Sequence, residues 1–351
     1  MQRDDLEPAP INTSEALSGA GGGGSDALPP PGKGARGRIV RLGILVVILI
    51  LLAVYVWRNW ADFQQLGRSG LLTPSGLWAL AGVVLLDLVC YYWNAAMIQI
   101  ATRPFGLRVR AGEAYMLSVL TRFLNVLTPL RGGAIARALY LNRVHKLSYP
   151  NFLAGMAGML LALPLVSVLV ALAGLGYVYL ATGQTAPKLT LILAAAAVAL
   201  VAVAIVRPRL SERASPGWTS RVWNAPARVV NGWDVFCRDR RSLAGLLVVN
   251  LLYLLTTAAM YWLILVNMGK PINPGLLMVI VAMGNLSVIV SITPGNVGVY
   301  EGTMAIIGSL MGVGATDILA ATLLWRVVDV LLILVAGPPC SAALTRRASG
   351  T

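Results

Sequence analysis

Along the chain, charged positions are not interleaved with apolar ones but pushed to the ends of long apolar blocks. No Asp, Glu, Lys or Arg occurs from Leu147 to Pro187, Leu189 to Val206, Ser242 to Gly269 or Pro271 to Tyr300. A helix needs about 20 such residues to cross roughly 30 Å of hydrocarbon. The pattern predicts spans over residues 42–57 (lengthened by snorkelling Arg41 and Arg58), 76–101, 151–180, 189–206, 243–268 and 318–338. Two further stretches are interrupted. Residues 114–128 carry Arg122 and run into Thr128-Pro129-Leu130-Arg131-Gly132-Gly133. Residues 275–292 run into Thr293-Pro294-Gly295-Asn296-Val297-Gly298 and then a second apolar stretch, 299–314. Each reads as a helix broken at a Thr-Pro-x-x-x-Gly tip, with Thr128, Pro129, Gly133, Thr293, Pro294, Gly295 and Gly298 as hinge residues. The fold class expected is an all-α polytopic membrane protein with about six full spans plus two broken or re-entrant helical hairpins.

The blocks also repeat. From the start of the span at 76 to Thr128 is 52 residues and on to the span at 151 is 23; from 243 to Thr293 is 50 and on to 318 is 25. The order span, span, broken hairpin, span occurs twice, as repeat A at about 39–180 and repeat B at about 189–338. The alternative is coincidence among similar hydrophobic lengths. Residues 1–38 hold the run Gly21 to Gly24 and Pro29 to Pro31 with little to bury, and are expected to be a disordered tail ahead of an uncleaved anchor. Residues 339–351 are expected to be a short cytoplasmic tail.

Charge fixes an orientation. With the N-terminal tail cytoplasmic, inside segments from Lys33 onward hold 21 Lys and Arg and outside segments only Arg58, Arg68, Lys188 and Lys270. Both termini are then cytoplasmic, and the two repeats have inverted topology, an arrangement that puts transport sites near the midplane at discontinuous helices. Much of the +14 net charge is such loop charge, so it does not indicate nucleic acid. In the connector 207–241, Trp218, Val222, Ala225, Val229, Trp233 and Phe236 form an apolar stripe among arginines. It reads either as a helix in the headgroup layer or as a soluble connector packed on helix ends.

Composition excludes much chemistry. The chain is 57% hydrophobic and 12% charged, with one histidine, His145, and three dispersed cysteines, so no His-based triad, zinc site or disulfide framework is suggested. No phosphate-loop motif is present, and no enzyme activity, metal or cofactor is expected. The informative residues are charges at membrane depth, each costing about 2.5–3.5 kcal/mol at a helix centre unless paired or hydrated. These are Asp87, Arg122, Arg131, Arg137, Glu301, Arg326 and Asp329. Arg326 and Asp329, at i and i+3, can pair on one helix. Asp87 either meets an arginine from another element or carries a proton. Arg131 and Arg137 suit forked contact with a phosphate, and Glu301 offers a negative partner, so the set fits a zwitterionic or phosphate-bearing headgroup. The competing reading is structural: snorkelling arginines and Glu301 paired with one of them. Arg122, Asn296 and Arg326 complete the candidate binding set. His145 is expected to be solvated, Gly298 and Gly302 to serve helix packing, and Trp57, Trp60, Trp78 and Trp93 to anchor at the interface.

The stretch Leu127 to Leu141, with Pro129, Arg131, Gly133 and Arg137, resembles the first signature of the lysylphosphatidylglycerol synthase transmembrane-region family, the flippase-like integral membrane proteins. Pro294-Gly295-Asn296-Val297-Gly298-Val299-Tyr300-Glu301 is similar to its second, and Trp325-Arg326 followed by Gly337 to its final span. The resemblance covers roughly residues 40–340 and implies the translocating half of that family, without the soluble aminoacyl-transferase domain. One departure is Ala134, where the family often has glutamate after the glycine. The function expected is translocation of a phospholipid or lipid-linked headgroup across the cytoplasmic membrane. The alternatives are a lipid-binding subunit anchoring a separate glycosyltransferase or lipid synthase, and a small-solute secondary transporter. Expected partners are anionic, zwitterionic or polyprenyl-phosphate-linked lipids.

Overall fold

A computed structural model of the chain describes residues 73–128, 132–206, 238–287, 296 and 298–349. Nine α-helices and no strand occur among them: α1 (Pro74–Thr102), α2 (Ala111–Leu127), α3 (Gly132–His145), α4 (Tyr149–Thr182), α5 (Pro187–Val206), α6 (Arg240–Asn267), α7 (Pro274–Ser287), α8 (Val299–Leu310) and α9 (Ala315–Ser349). Four helices, α1 with its following turn to Phe105, α4, α6 and α9, are long and apolar enough to cross a membrane. The tail 1–38, the first span, residues 207–237 of the connector, and tip residues Pro129, Arg131, Thr293, Pro294 and Gly295 lie outside the described residues.

Helix starts follow local chemistry. Thr73 Oγ1 accepts from the Gly76 N–H at 3.2 Å with Pro74 opening α1, and Ser148 Oγ accepts from Asn151 at 3.4 Å ahead of α4. Asp239 Oδ1 accepts from the Arg241 and Ser242 N–H groups at 3.1 and 3.3 Å. That cap starts α6 at Arg240, three residues before the span expected from apolarity alone. At the C-terminus α9 continues through Pro338 and Pro339 to Ser349, so most of residues 339–351 is helical. Leu344 there is fully enclosed with Leu117, Tyr140 and Leu141, a burial that offsets the two lost N–H groups.

Packing between the halves obeys an exchange rule. The pairs α1 with α6, α4 with α7 and α9 with α2 are in contact, and the hairpin arms pair as α2 with α3 and α7 with α8. Matching α1 to α4 with α6 to α9 in order, exchange of the halves returns the same pairs. The crossing of α4 on α7 is close because Gly174 faces Gly275: a Cβ on either would lie 2.7 Å from the other's carbonyl oxygen. At the matching crossing, Gly337 of α9 receives Phe123 of α2, whose Cγ would be 2.5 Å from an added Cβ.

Large apolar side chains also cover the outside, among them Trp78, Leu180, Leu310 and Val335, as a lipid-facing surface requires. Trp78 is thus free to anchor, whereas Trp93 donates to Thr256 Oγ1 at 3.0 Å and ties α1 to α6. Trp57 and Trp60 lie outside the described residues. Among the described residues nothing lies within 4 Å of a Cβ built on Gly298 or Gly302, and Gly298 has a φ of +83°, a conformation that favours glycine.

Candidate functional site

The first hairpin is held by its own polar residues. Thr128 ends α2 in an extended conformation, and Asn125 Oδ1 accepts from the Gly133 N–H at 3.0 Å, satisfying a donor at the start of α3. Gly133 is pressed on α2 so closely that a Cβ would lie 1.9 Å from the Thr121 carbonyl oxygen. At the base, Glu113 accepts from the Tyr140 hydroxyl at 2.7 Å and meets His145 Nε2 at 2.7 Å. His145 is therefore not a free solvated residue: it clasps the end of α3 to the start of α2. One turn beyond Gly133, Arg137 points inward. It is 7% exposed, touches Met156 sulfur and the Phe152 ring (5.5 Å), and meets no carboxylate among the described residues.

In the second hairpin, Asn296 has a φ of +59°, a conformation asparagine tolerates. Its amide nitrogen donates to Ser287 Oγ at 3.1 Å, while its buried Oδ1 has no partner among the described residues. Asn285 donates to Ser167 Oγ at 3.3 Å. Glu301, in the first turn of α8, reaches back so that Oε2 accepts from the Gly298 N–H at 2.7 Å, and its negative charge suits the helix N-terminus.

The last helix joins both hairpins. Arg122 of α2 forks onto Asp329, with Nη2 at 3.0 Å from Oδ2 and Nε at 3.2 Å from Oδ1, and Tyr91 donates to the same carboxylate at 2.7 Å. Arg326 donates through Nε to Glu301 at 2.8 Å. The expected pairing of Arg326 with Asp329 is thus replaced by two pairs, one to each hairpin. Three residues apart, the two side chains diverge by about 60° around the helix, enough to face different neighbours. Trp325 lies against both guanidiniums, 5.4 Å from Arg122 and 5.7 Å from Arg326, and donates Nε1–H to Asp87 at 3.2 Å. Asp87 is 2% exposed, and its other oxygen has no partner. Trp325 is thus the residue that hydrogen-bonds Asp87, and Arg122 lines the same small space.

Between the hairpins is a cavity of about 220 Å³. Arg122, Arg137, Asn296, Arg326 and Asp329, all expected in the site, line it, together with Asn125, Asn285, Tyr253, Tyr300 and Trp325. Asp87 lies behind Trp325 in a small adjoining space shared with Arg122. Glu301 supports Arg326 and does not line the cavity; Thr128 and Gly133 shape the hairpin without lining it. Asn125 and Asn285 were not singled out from the sequence, although an amide in an apolar hairpin arm is a signal that could have found them. No cluster able to hold a metal ion occurs among the described residues.

Long apolar helices, two broken hairpins and a charged cavity between them define a multi-pass helical membrane protein with an internal polar site. The chain belongs to the family described as Lysylphosphatidylglycerol synthase TM region, which it matches over residues 39–337, and is thereby associated with lipid-related processes. No curated protein matches the chain.

Proposed function

We propose that the protein translocates a phospholipid or lipid-linked headgroup between leaflets of the cytoplasmic membrane, with both termini in the cytoplasm and without a chemical step or cofactor of its own. The observation that carries this reading is Arg137, a guanidinium 7% exposed that lines the cavity and meets no carboxylate among the described residues. Burying a charge without a partner is costly, and the cost is relieved when an anionic group arrives. A phosphate is such a group, and guanidinium is suited to gripping it by two oxygens. The cavity is smaller than the roughly 300 Å³ at which drug-sized pockets begin, a size suited to a headgroup while acyl chains remain in lipid.

The hairpins supply the moving parts in this reading. At about 1.5 Å per residue, the 17 residues of α2 and 14 of α3 span about 26 and 21 Å against the bilayer's roughly 30 Å, lengths that suit a hairpin entering from the cytoplasmic side and turning back. The second hairpin would enter from the opposite face and meet it near the midplane. The test is leaflet exchange of a fluorescent phospholipid in reconstituted vesicles. Arg137→Ala is expected to reduce exchange to the protein-free rate; exchange at the unaltered protein's rate would remove Arg137 from the mechanism.

A further inference from the structure

We infer that Asp87 is a proton-binding site whose proton is taken up and released as the hairpins move, so that a proton gradient drives the exchange. The inference rests on the translocator reading above and names its energy source. Asp87 lies midway along α1 and is 2% exposed. Its Oδ1 accepts from the Trp325 indole at 3.2 Å, and its Oδ2 has no partner among the described residues.

The elements packed on α1 offer Asp87 no free counter-ion among the described residues. Arg122 of α2 and Asp329 of α9 neutralise each other through the fork, and the Tyr91 hydroxyl is spent on the same pair. Arg326 is taken by Glu301. Arg137 rests on the Met156 sulfur and the Phe152 ring, and does not line the space that holds Asp87. Tyr115 of α2 and Tyr253 of α6 are phenols and Cys90 of α1 a thiol, uncharged in their ordinary states. α4 has no acidic or basic residue. An ionised Asp87 is therefore a bare charge at membrane depth with one neutral donor, and a proton on Oδ2 removes that charge. Asn94, its amide nitrogen spent on the Cys90 carbonyl at 2.9 Å, and Thr257 line the same space and keep oxygens able to accept from the resulting hydroxyl. The space is about 10 Å³, room for at most about one water. With one free carboxyl oxygen and a guanidinium in its wall, it suits a proton and not a hard metal cation, which needs several oxygen ligands.

Trp325 and Arg122 line both this space and the larger cavity, so the indole is the partition between them. Trp325 is carried by the helix that is bonded to both hairpins. A shift of α9 as a hairpin opens withdraws the indole from Oδ1 and admits cavity water. The Oδ2–H bond then breaks, the proton passes to water, and a hydrated carboxylate remains; closing reverses the step. Proton occupancy and hairpin position form one linked equilibrium.

The test uses full-length protein in vesicles carrying a fluorescent phospholipid, with a pH difference across the membrane and the probe's distribution between leaflets read at steady state. The unaltered protein is expected to shift that distribution by up to about tenfold per pH unit, the limit for one proton per lipid. Asp87→Asn, which keeps the side chain's size and an acceptor for the indole, is expected to abolish the shift, and Asp87→Glu to restore part of it. Infrared spectra of the purified protein, which need no exchange, are expected to show at neutral pH a protonated-carboxyl band that Asp87→Asn removes and Asp87→Glu displaces. A shift undiminished in Asp87→Asn, a shift that follows a sodium gradient instead, or a carboxyl band unchanged in both variants overturns the inference. Exchange that ignores the pH difference sinks the coupling and leaves the translocator. An Asp87 band in a protein that moves no lipid sinks the translocator and leaves the proton site.

Discussion

Asp329 and Arg137 are both buried ionised residues beside the same cavity, but their substitution has opposite consequences. Asp329 is 1% exposed and fully bonded, so Asp329→Asn leaves Arg122 without its carboxylate and is expected to cost about 3 kcal/mol, read as a lower unfolding midpoint in detergent. Arg122→Gln in that background should recover part of the loss, because it removes the stranded charge. Arg137 meets no carboxylate among the described residues, so, on the proposed function, Arg137→Ala is expected to leave the unfolding midpoint unchanged or raised while exchange is lost. The sequence marked both, since charge at membrane depth is visible in one dimension. It did not show which charges were paired: Arg326 and Asp329 are neighbours on α9, yet each is bonded to a residue from a different hairpin, and those partners are set by tertiary packing.

Among the elements, the hairpins were the most legible and their glycines the least. Proline followed by glycines at the end of a short apolar stretch let both interruptions be placed from the sequence, although proline alone breaks no helix here: α4 continues through Pro164 and α9 through Pro338 and Pro339. Which glycine is compressed depends on what lies opposite. Gly133→Ala would put a methyl 1.9 Å from the Thr121 carbonyl and is expected to cost about 1–3 kcal/mol as α3 is forced off α2. Gly302→Ala, in open space inside α8, is expected to be neutral or to gain up to about 1 kcal/mol from helix propensity. Thermal unfolding of the two variants side by side checks the contrast, and comparable losses would count against the close contact at Gly133. The start of α6 shows a similar limit: apolarity located the helix, but the hydrogen bonds of Asp239 set its first residue.

For the whole molecule, matched contacts between the halves accompany the matched spacing of the sequence, and the inferred orientation makes a direct prediction. Lys146, just after the first hairpin, and Lys270, just before the second, belong on opposite faces. In a background with Cys90, Cys237 and Cys340 replaced by serine, Lys146→Cys is expected to react with an impermeant maleimide only from the cytoplasmic side and Lys270→Cys only from the outside. Reaction of both from one side would break the inverted arrangement. The spacing alone left coincidence open, because apolar blocks of similar length are common in such chains; the exchange of helix pairs is a property only of the folded protein.

One feature of α9 bears on motion. Three residues apart, Asp329 grips Arg122 of one hairpin and Arg326 grips Glu301 of the other, with Trp325 against both guanidiniums. α9 therefore acts as a tie-rod: a tilt of either hairpin must either rupture an ion pair inside the membrane or pull the rod, and with it the opposite hairpin. With both clamps intact the two hairpins cannot tilt independently, so in the proposed translocator an opening toward one leaflet would carry a mechanical signal to the hairpin that enters from the other.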